Sequence, residues 1–132
     1  MAVQIVFETH ALSDDNERGL ATGWLPGRLS ERGRALAREL GERRATDGLA
    51  AVFTSDLCRA VETVELAFSG SGLPVLADWR FRECDYGSLN GATAAQVHGE
   101  RRRYLTLPYP GGESWEQAIH RAGRFLGDLP AR

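Results

Sequence analysis

At 132 residues with 42% hydrophobic side chains, the chain is long enough for one compact core and too short for two ordinary domains, so residues 1–132 read as a single domain. A formal net charge of -2, with arginine mixed among glutamate and aspartate, leaves no single-sign field to attract nucleic acid or an anionic membrane, and neither is expected as a partner. No apolar run approaches the roughly 18 residues that cross a bilayer, and the start Met1-Ala2-Val3-Gln4 lacks the basic and apolar parts of a secretion signal, so the expected location is the cytoplasm.

Residues 3–7 form an apolar, β-branched run of the kind that makes a central strand covered on both faces of an α/β sheet. A polar, glycine-rich stretch follows over 9–28. Ser30 is then an N-cap with Glu31 in the first turn, which predicts a helix over 31–44. Residues 50–54 read as a second buried strand. Ser55-Asp56 can cap a helix in which Ala60, Val64, Ala67 and Phe68 recur at helical spacing. Pro74-Val75-Leu76 is a short third strand, and residues 79–91 hold too many glycines and charges for a regular element, so they are expected to be a functional loop. Behind Ser114, the residues Ala118, Ile119, Ala122, Phe125, Leu126 and Leu129 share one helical face and predict a helix over 115–129.

Strands alternating with helices imply an α/β fold, a mostly parallel sheet flanked by helices with right-handed crossovers, and no repeat or linker divides it. A terminal amphipathic helix of this kind normally leads into one more strand, and none follows Arg132, so the sheet is expected to lack its last strand. The exposed edge this would leave favours pairing with another copy, hence a homo-oligomer. Cys58 and Cys84 fall in no CxxC or Cys/His cluster and read as small packing residues. Asp14-Asp15 has no third ligand at useful spacing, so no metal and no cofactor is expected. Arg101-Arg102-Arg103 reads as a solvated face, and Trp79 and Trp115 as caps on a core edge; Trp24 is balanced between such a cap and a pocket wall.

Ligands of open α/β sheets sit beyond the carboxyl ends of the strands. Three polar clusters fall there: Thr9-His10, then Ser55-Asp56 with Arg59, then Glu83. A histidine, an arginine and a carboxyl group converging at one sheet edge suit phosphoryl transfer, with imidazole as nucleophile, guanidinium as a clamp on phosphate oxygens and a carboxylic acid to protonate the departing alcohol. A histidine at a strand end is by itself more often structural, so these residue types alone do not establish that chemistry.

The order of motifs adds the missing context. Thr9-His10-Ala11-Leu12-Ser13-Asp14-Asp15-Asn16, then Gly23-Trp24, then Leu29-Ser30-Glu31-Arg32-Gly33, resembles the opening of the histidine phosphatase, or phosphoglycerate mutase-like, superfamily, where Arg-His-Gly-Glu-Thr-x-x-Asn leads to Gly and then Leu-Thr-x-x-Gly. The stretches Ser55 to Thr63 and Arg82 to Gly91, and Gly111-Gly112-Glu113-Ser114, are similar to the family in the expected order. The resemblance implies a phosphoglycerate mutase-like three-layer sandwich. It implies a phosphomonoester hydrolase or mutase acting on a small phosphorylated substrate through a phosphohistidine, with His10 as nucleophile, Arg59 as phosphate ligand and Glu83 as proton donor. Ser13, Asn16 and Thr22 sit where relatives offer hydroxyl or amide groups to phosphate.

Two departures accompany it. Thr9 stands where the family has arginine, with Ala11 and Leu12 where it has glycine and glutamate. The family's second catalytic histidine, expected on a strand after the helix over 115–129, has no counterpart, since His98 and His120 both read as surface residues. Two other readings therefore stand beside an active enzyme: an impaired family member that binds a phosphorylated metabolite or a protein partner, and a 132-residue piece of a longer protein.

Overall fold

A computed structural model describes residues 2–129. In chain order the elements are α1 (Asp14–Glu17), α2 (Glu31–Arg44), β1 (Val52–Thr54), α3 (Cys58–Phe68), β2 (Val75–Ala77), α4 (Ala94–Gly99) and α5 (Trp115–Asp128). Short 3-10 turns occupy Trp79–Phe81, Gly87–Leu89 and Arg101–Tyr104. The fold is α/β, with β1 and β2 parallel and in register Val52 to Val75, Phe53 to Leu76 and Thr54 to Ala77.

Helix α2 begins and ends where its sequence predicts. Ser30 accepts a hydrogen bond from the Gly33 amide, and Arg43 and Arg44 face the negative end of the helix dipole. It packs on α3, and Glu62 of α3 ties the pair by accepting from the Leu29 amide at 3.2 Å and from Arg34 Nε at 3.0 Å. The cap of α3 differs from expectation. Leu57 occupies it without a side-chain hydrogen bond, because the Asp56 carboxylate is held by Arg82 Nε at 2.6 Å and Nη2 at 2.7 Å.

The run 3–7 does not form the expected central strand. Among the described residues no ladder includes it, and Val3, Ile5, Val6 and Phe7 are exposed. Its β propensity is intact, but a strand exists only where a neighbour supplies hydrogen-bond partners. Its end is nevertheless anchored, since Glu8 pairs with Arg44 at 2.7 Å and Arg43 at 3.5 Å, and Phe7 meets Phe81 edge-on at 6.1 Å.

Two apolar clusters support the loop between β2 and α4. In one, Phe125 of α5, 2% exposed, stacks on Phe81 at 5.1 Å and meets Phe53 of β1 at 5.6 Å. The other gathers Cys84, Tyr86, Val97, Tyr104, Tyr109 and Ala118, with Tyr104 stacked on Tyr109 at 4.1 Å and Trp115 against its edge. The buried stripe of α5 is Ala118, Arg121 and Phe125; Ile119 and Leu126, expected on that face, are exposed. Cys84 packs as expected, whereas Cys58 is exposed at the start of α3. His98 and His120 both lie at the surface.

Candidate active site

His10 follows the apolar run at 3–7 and is partly buried, with Nδ1 2.6 Å from the Ala11 carbonyl. That contact is a hydrogen bond only if Nδ1 carries the proton, which leaves Nε2 as the ring's free lone pair. Burial holds the imidazole below its ordinary pKa of 6.5, and the nearby Arg59 charge adds to this; the Ala11 carbonyl and Glu83 act in the opposite direction. The neutral ring is thus the favoured form. The Ala11 amide donates to Thr63 Oγ1 at 3.0 Å, and that hydroxyl donates to the Arg59 carbonyl at 2.7 Å, so the histidine segment is fastened to the helix that carries Arg59.

Arg59 is 2% exposed. Its Nη2 donates to the Gly23 carbonyl at 2.8 Å and to Glu83 Oε2 at 2.9 Å. Its Nη1 is buried and has no hydrogen-bond partner among the described residues. A guanidinium nitrogen taken out of water and left unpaired costs about 1–3 kcal/mol or more, so the site is built to receive an acceptor there. Gly23 makes this approach possible: at φ 57° it adopts the left-handed region, and a Cβ there would collide with the Asn90 side chain.

Glu83 joins Arg59 through one carboxyl oxygen and accepts from the Tyr86 hydroxyl at 2.6 Å through the other. Its side chain is 38% exposed, leaving a path for an incoming molecule. Burial and the neighbouring Glu83 charge push the Tyr86 phenol well above its usual range, so it remains a donor. The Glu83 carbonyl accepts from Trp24 Nε1 at 2.7 Å, and Arg82 lies over the Trp24 ring at 4.7 Å. Trp24 is therefore a wall of the site. Its loop is closed from below by Gly87, whose φ of 56° and contact with the Pro110 carbonyl leave no room for a side chain.

The remaining expected phosphate ligands have partners of their own. Ser13 and Asn16 form a reciprocal capping box on α1, each side chain accepting from the other's amide at 3.0 Å, and Ser13 is fully buried. Thr22, 4% exposed, donates its hydroxyl to Asp15 at 2.9 Å. The geometry thus groups Arg59 and Glu83 directly and His10 beside them, with Ser13, Asn16 and Thr22 in the adjoining loop. Thr9 is exposed. An open cleft of about 470 Å³ begins at Asp56 and Cys58 and is lined by none of His10, Arg59 or Glu83. Among the described residues no group of three His, Cys, Asp or Glu side chains is placed to hold a metal ion, and no described helix is long and apolar enough to cross a membrane.

A 2,3-bisphosphoglycerate-dependent phosphoglycerate mutase of Streptococcus pyogenes is 34% identical over 143 residues, covering 98% of this chain and 62% of that protein. The chain thus spans less than two thirds of that relative's length. The solved structure of a mycobacterial glucosyl-3-phosphoglycerate phosphatase in complex with VO3 matches with a TM-score of 0.81 at 30% identity, covering 92% of this chain and 64% of that one. The alpha-ribazole phosphatase of Shigella flexneri shares the fold, with a TM-score of 0.80 at 24% identity. The model of the histidine phosphatase superfamily (branch 1) matches residues 5–132, and the chain belongs to that superfamily.

Proposed function

We propose that the protein is a phosphomonoester hydrolase that acts on a small phosphorylated substrate through a phosphohistidine at His10. The observation that carries this reading is the buried, unpartnered Nη1 of Arg59 beside a carboxylate and a histidine held neutral. In the proposed reaction the Nε2 lone pair forms a bond to phosphorus as the ester P–O bond breaks. Glu83 enters this step as the carboxylic acid; the departing oxygen keeps its electron pair and takes that proton, releasing a neutral alcohol and leaving Glu83 as the carboxylate. Water then attacks phosphorus as the Nε2–P bond breaks and its electron pair returns to Nε2, the water proton passes to the Glu83 carboxylate, and inorganic phosphate leaves. Arg59 orients the phosphoryl oxygens and offsets their charge throughout. Ser13, Asn16 and Thr22 border the phosphate in this scheme. Transfer to a second hydroxyl instead of water would give a mutase by the same intermediate.

The relatives named above, a bisphosphoglycerate-dependent mutase and a glucosyl-3-phosphoglycerate phosphatase, support a small phosphate ester as substrate. A cytoplasmic setting, which the two free thiols fit, and self-association belong to the same reading. The exposed apolar run at 3–7 supports the latter, and a monodisperse monomer in sedimentation at micromolar concentration would refute it. The central test is labelling with a reactive phosphoryl donor. His10 should form an acid-labile, base-stable phosphoramidate, His10→Ala none, and Arg59→Ala sharply less. A protein that binds phosphate yet never becomes labelled at His10 under single-turnover conditions would instead be the impaired, ligand-binding family member that Thr9 favours.

A further inference from the structure

Two arginines are almost fully buried near the site, Arg59 at 2% and Arg121 at 5% exposure, and they differ in how their nitrogens are used. A guanidinium has five N–H donors, and every one on Arg121 is engaged. Nε donates to Glu113 Oε2 at 3.1 Å and Nη2 to the other oxygen of that carboxylate. Nη1 donates to the carbonyls of Arg80 at 2.9 Å and Arg82 at 2.6 Å, and Nη2 also donates to the Glu83 carbonyl at 2.6 Å. The Arg121 charge therefore has no group left to offer a ligand. Its acceptors are instead the backbone immediately before and at the residue that carries the carboxyl group of the site.

The Glu83 carbonyl has a second donor in Trp24 Nε1, and the Arg121 guanidinium lies over the Trp24 ring at 5.7 Å. Glu113, which pairs with Arg121, also accepts from the Asp85 amide at 3.0 Å, and its own amide donates to the Asp85 carbonyl at 3.0 Å. The peptide on either side of Glu83 is thus fastened to α5, while among the described residues its carboxyl group meets only the side chains of Arg59 and Tyr86. A proton donor acts only within hydrogen-bond reach of the departing oxygen, and a displacement of about 1 Å can cost on the order of a hundredfold in rate.

We infer that Arg121, acting with Trp24 on the Glu83 carbonyl, is a positioning residue that sets where the Glu83 carboxyl group meets the leaving group. This rests on the phosphatase reading and deepens it. A residue that merely held the fold together would, when weakened, slow all substrates alike. A residue that aims the acid should matter in proportion to the need for a proton. That need is large for an alkoxide and small for a phenolate of low pKa.

The experiment compares an alkyl ester, glycerol phosphate, with an activated aryl ester, p-nitrophenyl phosphate, in the full chain. Glu83→Gln sets the reference by losing alkyl turnover selectively. Arg121→Lys retains the charge without the five-way fork, and Trp24→Phe removes only the Nε1 donor. Both should lower kcat on glycerol phosphate by about tenfold or more, and change p-nitrophenyl phosphate turnover by less than about threefold, with KM little altered. If Arg121→Lys fails to fold, Trp24→Phe decides the matter. Equal losses on both esters overturn the positioning role and leave the phosphatase reading intact. A wild-type protein that cleaves neither ester overturns that reading, and this role with it.

Discussion

Phosphate-like anions should stabilise the folded chain, and most of that stabilisation should pass through Arg59. The unliganded protein already bears the cost of a desolvated Nη1 without an acceptor, about 1–3 kcal/mol. An oxygen arriving there displaces no existing partner, so its hydrogen bond is gained rather than exchanged. At a ligand concentration about 100 times Kd, binding stabilises the native state by about 2.7 kcal/mol, which for a chain of this length raises Tm by about 8–14 °C. Replacing Arg59 with methionine keeps the apolar stem and removes the charge. Losing a charge-assisted bond worth about 1.5–3 kcal/mol weakens Kd by about 10- to 150-fold. The same vanadate or phosphate concentration should then stabilise the variant by only about 0.3–1.3 kcal/mol. Without ligand the two proteins should differ by no more than about 1–2 kcal/mol, because the variant loses the Gly23 and Glu83 contacts but also a poorly satisfied buried cation. Thermal melts with and without orthovanadate measure both quantities. Equal anion-induced shifts in wild type and Arg59→Met would refute the assignment of Nη1 as the ligand-facing nitrogen.

Two further outcomes follow from the same geometry. His10 titrates below its ordinary value in the folded state, so between the folded and unfolded pKa the unfolded chain binds the extra proton; the contribution of neutral His10 to stability is present above about pH 6.5 and is lost as pH falls through the folded pKa. Urea midpoints should therefore drop more steeply from pH 7.5 to pH 5 in wild type than in His10→Gln, and parallel profiles would contradict it. Phe125→Ala removes a ring packed on Phe53 and Phe81 and should cost about 3–5 kcal/mol in urea unfolding. Arg124→Ala, exposed on the same helix, should stay within about 0.5 kcal/mol, and similar losses for the two would place the core elsewhere.

Elements whose stability is local are those the sequence foretells. Helix α2 has its cap at Ser30 and its basic residues in the last turn, and α5 has a capping box between Ser114 and Gln117; both sets of hydrogen bonds close within four residues. Residues 3–7 fail for the complementary reason. Apolar β-branched side chains describe what a strand would bury, but the hydrogen bonds that define one come from other parts of a sheet, and no local pattern reports whether these are available. Helix α1 was missed because four residues carry no apolar period, although Ser13 with Asn16 three positions later and acidic residues between them is a capping signal.

The site divides along similar lines. His10, Arg59 and Glu83 are named by motif resemblance, and the structure adds a physical distinction that spacing does not contain: which buried nitrogen lacks an acceptor among the described residues. Arg121 was invisible because an arginine among Ala118, Ala122 and Phe125 reads as an interruption of an apolar face. Its five acceptor atoms come from two separate segments, residues 80–83 and Glu113, that only the fold brings to α5. Tyr86 lay within a stretch similar to the family, yet its hydroxyl bond to Glu83 depends on a loop held by Gly87 and Asp85. In the proposed reaction, Thr9 offers no cation where relatives have arginine, so orientation of the phosphoryl group falls more heavily on Arg59. One absent preorganised donor typically slows such a step by about a hundred- to a thousandfold. Slow turnover is the behaviour this arrangement should show, because Thr9 supplies no cation to either the formation or the hydrolysis of the phosphohistidine.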